Sequence, residues 1–287
     1  MIKEEYPPGH FYSVLPDIEN ENLIWEPKYL GLDYNDANHI NILNEIEQYL
    51  TKFDEVFDVG DDVEELKLQH KYSLNNNAFT SLDARILHYY LQKNKPKKYI
   101  EIGSGMSTLL VLNTKEMFNL DLEIICIEPH PSPHLLSLHK QGKINLIIKK
   151  IQDVGLYIFK SLNENDILFI DSSHVVKINS DVLYVFKNVL PILKSDVRVH
   201  FHDIFLPYEY PPKWLHKGRF WNEQYFLFVF LQFNQKFKIE FGSMYARFKC
   251  RKMLTKLQIN TYEQKELSGG SIWLNVNKVE SKNLNLI

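Results

Sequence analysis

The sequence predicts an α/β fold: a doubly wound, Rossmann-like sheet under an N-terminal helical cap. Short apolar runs recur from residue 97 onward, at "KYIEIG", "LEIICIE", "INLIIKKI", "DILFIDSS" and "VRVHFHD". The segments between them are long enough for helices, so the runs read as parallel strands buried on both faces. Two further runs, "FKIEFGS" and "SIWLNVN", read as closing strands that pair antiparallel.

Ahead of the sheet, residues 1 to about 35 are rich in Pro, aromatic and acidic residues and read as an irregular arm. The stretch "NHINILNEIEQYLTKF" places Ile40, Leu43, Ile46 and Leu50 at helical spacing, which predicts an amphipathic helix with those residues inward. A second helix is predicted over Ser81 to Gln92, capped by Ser81, with Leu82, Ile86, Leu87 and Tyr90 facing the core. The expected division is an arm and cap over 1–80 and the sheet domain over 81–287.

A chain of 287 residues with 45% hydrophobic and 24% charged residues suits a globular protein of one large domain with a cap. A net charge of -3 gives no general attraction to nucleic acid or anionic membrane. Cys126 and Cys250 are the only cysteines, so no disulfide framework is expected and a reducing compartment is the simplest setting. The start, "MIKEEYPPGH", lacks the apolar core of a secretory signal, and "FLFVFL" is far too short to span a bilayer. The expectation is a cytoplasmic protein.

In such sheets, ligands bind at the carboxyl ends of the strands. Gly103 and Gly105 follow the first strand in "YIEIGSGMST", and Ser107-Thr108 open the next helix. Glu128 ends the second strand, at a spacing that suits hydrogen bonds to ribose hydroxyls. A dinucleotide fingerprint would have glycine where Thr108 stands. Glu101 also disfavours pyrophosphate and favours a ligand with an ammonium group. S-adenosylmethionine has an ammonium, a sulfonium and a ribose, with no phosphate.

Together, "YIEIGSGMSTLL", "CIEPHPS", "ILFIDSSH", "FHDIFLP", "RFWNEQY" and the early "GHFYSVLPD" resemble class I S-adenosylmethionine-dependent methyltransferases. The resemblance is nearest to bacterial members acting on sugars, glycans or secondary metabolites. It implies a seven-stranded sheet with the last strand pair antiparallel, and 81–287 as the methyltransferase domain. It also implies cofactor contacts from Glu101, Gly103, Gly105, Glu128 and Asp171, with Asp153 near the adenine.

The strand ends "FIDSSH" and "HFHDIF" bring Asp171, His174, His202 and Asp203 toward one another. Methyl transfer to oxygen needs in-line geometry and a route for the hydroxyl proton. His202 or His174 serves as the base in one reading. In the other, Mg²⁺ held by Asp171 and Asp203 acidifies the hydroxyl. Metal-dependent relatives supply a further oxygen ligand beside the second acid, and here Ile204 follows Asp203. His200 is expected to be structural, and His130 and His134 to lie at the surface.

The segment after Asp203 carries Tyr208, Tyr210, Trp214, Arg219 and Trp221, an aromatic and partly basic loop suited to an acceptor pocket. After Asn222 the apolar run predicts a buried helix. The leading expectation is O-methylation of a small saccharide-like or secondary-metabolite hydroxyl. A nicotinamide-dependent oxidoreductase and a non-catalytic S-adenosylmethionine-binding module are the alternatives. The expected partner is a small-molecule acceptor, with no nucleic acid and no membrane span.

Overall fold

The computed structural model describes residues 5–18, 25–50, 53–57, 70–76, 78–79, 81–257 and 269–278. Seven strands form one sheet: β1 (Lys98–Ile102), β2 (Glu123–Ile127), β3 (Asn145–Ile147), β4 (Ile167–Ile170), β5 (Arg198–His202), β6 (Phe237–Gly242) and β7 (Ser271–Val276). Their order is β3-β2-β1-β4-β5-β7-β6. The strands from β3 to β5 pair parallel, and β7 inserts antiparallel between β5 and β6. The closing strands are therefore not both at the edge: β6 is outermost and β7 lies inside it.

Alternation along the strands divides the core between the faces of the sheet. Tyr99, Ile124, Cys126, Ile167, Phe169 and Trp273 pack on one side with helices Ser81–Asn94 and Met106–Phe118. Ile100, Ile102, Ile125, Ile127, Leu168, Ile170, Val199 and Phe201 pack on the other, against Val182, Val185 and Leu227. Full burial of each such side chain is worth about 1.5–3 kcal/mol, which makes the sheet a stiff platform for its loops.

The helix Ser81–Asn94 is buried at every position from Leu82 to Leu91, so it is a core helix rather than one with a single apolar face. Ser81 does not cap it: its backbone has φ 54°, and its hydroxyl makes no hydrogen bond among the described residues. The first helix, Asp36–Glu45, is capped by the Asn35 side chain and continues as a 3-10 turn, Ile46–Tyr49. Its buried positions are His39, Ile42, Leu43 and, just beyond, Ile46, whereas Ile40 is exposed. His39 displaces Ile40 from the core because its Nε2 accepts the Gly242 N–H at 2.8 Å, pinning that helix to the end of β6.

Residues 25–35 run along the segment that follows β5. Lys28 and Tyr29 donate their backbone N–H groups to the Pro207 carbonyl, and the Trp25 indole donates to the Glu209 carbonyl at 2.8 Å. The Glu209 carboxylate accepts from the Tyr29 hydroxyl at 2.7 Å and from the Tyr225 hydroxyl at 2.5 Å. The helix Glu223–Gln232 buries Leu227 and Leu231 but exposes Phe226 and Val229, so it is only half-buried, contrary to the sequence expectation. No helix among the described residues is long and apolar enough to cross a membrane.

Candidate active site

The strand order reverses beside β1, between β2 and β4, and the loops after these strands and after β5 gather at one end of the sheet. Backbone bonds carry the ladder past the strand ends. Gly103 N–H donates to Ile127 O at 3.0 Å, Asp171 N–H to Ile102 O at 2.9 Å, and Glu128 N–H to Ile147 O at 3.1 Å. The site residues thus sit on extensions of the rigid sheet.

Gly103 has φ +79°, and a Cβ there would lie 1.8 Å from the Asp171 carbonyl oxygen. Only glycine lets the β1 and β4 loops approach this closely. A Cβ at Gly105 would meet no atom within 4 Å, so the space above the turn is open. Glu128 borders the turn: one carboxylate oxygen accepts the Ser104 N–H at 3.3 Å and the other the His130 N–H at 2.8 Å. These bonds hold a half-exposed carboxylate beside the open turn. A nucleoside with ribose hydroxyls and no phosphate fits this set of groups. Asp153 is exposed on the 3-10 turn Ile151–Asp153 beyond β3, two strands from β1.

Glu101 lies elsewhere than its sequence position suggests. It is fully buried beneath the turn, accepting from Tyr99 Oη at 2.9 Å, from Ser107 Oγ at 2.5 Å and from the Thr108 hydroxyl. The carboxyl faces these hydroxyls rather than the open side of the turn. Burial pushes its pKa up to about 7, against the pull of the Ser107, Thr108 and Tyr99 hydroxyls. The missing third glycine has the same explanation: Thr108 anchors the helix Met106–Phe118 to β1 through Glu101.

At the ends of β4 and β5, three side chains converge. His174 Nε2 lies 3.2 Å from Asp171 Oδ1 and 3.6 Å from Asp203 Oδ2. One ligand-capable atom from each of Asp171, His174 and Asp203 falls within 4.8 Å of the others. His174 and Asp203 hold φ values of 58° and 54°, conformations costly for residues other than glycine and common at functional sites. The other imidazole nitrogen, Nδ1, lies 2.9 Å from Oε2 of the buried Glu223. The backbone fixes this arrangement, since the His174 carbonyl accepts N–H bonds from Asn222 and Glu223.

Burial opposes charge on His174, but hydrogen bonds to Asp171 and Glu223 outweigh it and raise its pKa well above the usual imidazole range. Burial raises Asp203, with His202 and His174 opposing it. At Asp171 burial also acts upward, but His202 and His174 prevail and its pKa is lowered. Among these groups, Asp171 and Asp203 keep the open side, with 34% and 20% of their side chains exposed, against 5% for His174.

His202 is set back from the opening. It is 5% exposed, with Nε2 3.3 Å from the Ala78 carbonyl and 3.7 Å from Asp203 Oδ1, under the ring of Phe79. His200 stacks on Phe169 at 3.8 Å and is pushed well below the usual range by burial and by His202. It is a core residue.

The loop after β5 divides in use. Trp221 packs tilted against His174 at 4.3 Å and meets Trp214 at 4.8 Å, and the Arg219 guanidinium lies over both indoles, at 5.6 Å and 5.0 Å. Tyr208 turns toward Trp25 in the arm. Tyr210 is fully buried and its hydroxyl accepts the Gln224 N–H. Glu209 and Glu223 were not legible as site residues. Glu223 stands in "FWNEQYFLFVFL", where the following apolar run signals only a helix, although a carboxylate in a buried first turn was the available clue.

The profile of a family described as a methyltransferase domain matches residues 100–204, spanning β1 to the loop after β5. An uncharacterized protein of Archaeoglobus fulgidus is 33% identical over 172 residues, which cover 56% of this chain and 75% of that protein. Among solved structures, the S-adenosylhomocysteine-bound methyltransferase PaMTH1 of Podospora anserina aligns with a TM-score of 0.46 at 13% identity, over 86% of this chain and 98% of its own. The plantazolicin methyltransferase BpumL, in complex with S-adenosylhomocysteine, aligns at 0.40 and 14% identity, over 84% and 99%. Residues 100–204 of this chain thus carry a methyltransferase domain, set on the seven-stranded sheet described above.

Proposed function

We propose that the protein O-methylates a hydroxyl of a small saccharide-like or secondary-metabolite acceptor. The observation that carries this reading is the pair of partly open carboxylates, Asp171 and Asp203, set at adjacent strand ends around His174. An oxygen nucleophile needs its proton removed as it attacks, and these carboxylates are the acceptors available beside the cofactor turn.

When bound, S-adenosylmethionine supplies an electrophilic methyl on sulfonium. Gly103 and Gly105 give it close approach to the backbone, and Glu128 accepts from the ribose hydroxyls. Asp153 lies toward the adenine and Asp171 toward the reacting end. Asp203 takes the hydroxyl proton at its open carboxylate, while His174 holds Asp171 and Asp203 in place. His202 backs Asp203 from beneath. A divalent ion at Asp171 and Asp203 would acidify the same hydroxyl.

Trp214, Arg219 and Trp221 form the acceptor wall, with indole faces for a sugar ring and a guanidinium for an acidic group. Tyr208 supports that wall from the arm side, and residues 1–80 act as the arm and cap of the methyltransferase domain, 81–287. Incubation with S-adenosylmethionine and a panel of monosaccharides, glycosides and aromatic alcohols tests the reading. A methylated product is expected from the wild type and a severe loss of it from Asp203→Asn. Turnover confined to amine or thiol acceptors would reject it.

A further inference from the structure

We propose that a groove between the first helix, Asp36–Glu45, and the helices after β6, Ser243–Lys249 and Arg251–Lys256, binds a small amphiphilic anion, an apolar body carrying one acid group. The site stands apart from the methyl-transfer reading, since none of its lining residues belongs to the cluster at the ends of β4 and β5.

The groove encloses about 470 Å³. Small-molecule pockets span roughly 300–1,000 Å³, so this volume suits one compact ligand. Ile40, Cys250 and Met253 supply the apolar part of its lining. Ile40 lies here because His39 takes the core position through its bond from the Gly242 N–H, which leaves Ile40 44% exposed. A stable protein–protein interface buries about 800 Å² on each partner, far more than three apolar side chains in a groove can offer. A small apolar body matches them in size.

The charge around the groove selects the ligand. The cationic part of the lining, Lys249, Arg251 and Lys252, is solvent-exposed. The stretch 243–257 carries these three with Arg247 and Lys256 and no Asp or Glu, in a chain whose net charge is -3. Neither Lys249 nor Lys252 forms an ion pair with a carboxylate among the described residues. The one acid in the lining, Asp36, is already engaged. It sits in the first turn of its helix, where the dipole favours a carboxylate, and accepts from the Tyr245 hydroxyl at 2.5 Å. Tyr245 is in turn fixed by stacking on Tyr34 at 4.2 Å. Burial, and then Asp36, raise the Cys250 thiol, so it adds no negative charge. Lysine stems can cover apolar surface while their ammonium groups meet an acid head, which is the contact an amphiphilic anion requires.

The test titrates the full chain with 8-anilinonaphthalene-1-sulfonate, followed by fluorescence and by NMR of ¹³C-methyl-labelled methionines, with Met253 assigned through Met253→Leu. The dye is expected to shift the Met253 methyl saturably and to leave Met106, at the start of the helix after the glycine turn, in place. N-phenyl-1-naphthylamine has the same rings without the sulfonate and should bind at least about tenfold more weakly, as should the sulfonate dye to the double variant Lys249→Glu/Lys252→Glu. A Met253 methyl unmoved at saturating dye, equal affinity for the two dyes in the wild type, or displacement of the dye from Met253 by S-adenosylhomocysteine would overturn the proposal. Sedimentation with phosphatidylglycerol vesicles that the dye does not compete for and the double variant abolishes would put a membrane surface there, and would overturn it too. No readout involves methyl transfer, so failure of the proposed function leaves this test intact.

Discussion

At the residue scale, the two glycines of the turn do different work. Gly103 combines a positive φ with an approach of 1.8 Å between a notional Cβ and the Asp171 carbonyl, so Gly103→Ala must move the β4 loop. The expected cost is about 2 kcal/mol or more in urea unfolding. Gly105→Ala, whose methyl enters open space, should cost clearly less stability while weakening S-adenosylhomocysteine binding. Equal losses of stability in the two variants would contradict this division. Glu128→Ala should weaken S-adenosylhomocysteine by roughly ten- to a hundredfold, since a charge-assisted hydrogen bond is worth about 1.5–3 kcal/mol. Unchanged affinity in the folded variant would remove Glu128 from the ribose.

At the element scale, the loop after β5 lies against the β4 loop through Trp221 and His174, and the arm braces it through Trp25, Tyr29 and Glu209. Trp214→Ala and Arg219→Ala should raise the acceptor KM several-fold and leave cofactor affinity nearly intact. Equal loss of cofactor binding in both folded variants would instead put the loop in the cofactor site. Much of this element was legible because alternating apolar runs and strand-end acids follow directly from sheet geometry. The direction of individual side chains was not. Glu101 turns inward because Ser107 and Thr108 can reach it, and Ile40 turns outward because His39 has a backbone partner across the fold. Glu223 meets His174 across 49 positions of sequence, a distance that no local pattern encodes.

At the scale of the whole molecule, buried neutral histidines make stability depend on pH. His88 sits among Phe53, Phe57 and Phe118 with Nδ1 2.8 Å from the Thr114 hydroxyl, and burial lowers its pKa to about 3. The unfolded chain protonates this histidine near pH 6.5, so between that pH and about 3 the unfolded state binds the extra proton. Its contribution to stability is therefore full above pH 6.5 and is lost as the pH falls toward 3, by about 1.4 kcal/mol per pH unit. His88→Phe should flatten the acid limb of the urea-stability profile by about that slope. An unaltered limb would show that His88 is already charged in the fold.

The same architecture that buries those histidines leaves Asp171 and Asp203 open at the carboxyl end of the sheet, and the account rests on what they do to an acceptor. The most direct measurement supplies the enzyme with S-adenosylmethionine labelled with ¹³C in the methyl group and follows the label by NMR in a panel of hydroxylated acceptors. The predicted result is a new methoxy carbon on the acceptor, absent with Asp203→Asn. A label found on nitrogen or sulfur, or a methoxy signal undiminished in Asp203→Asn, would contradict the account.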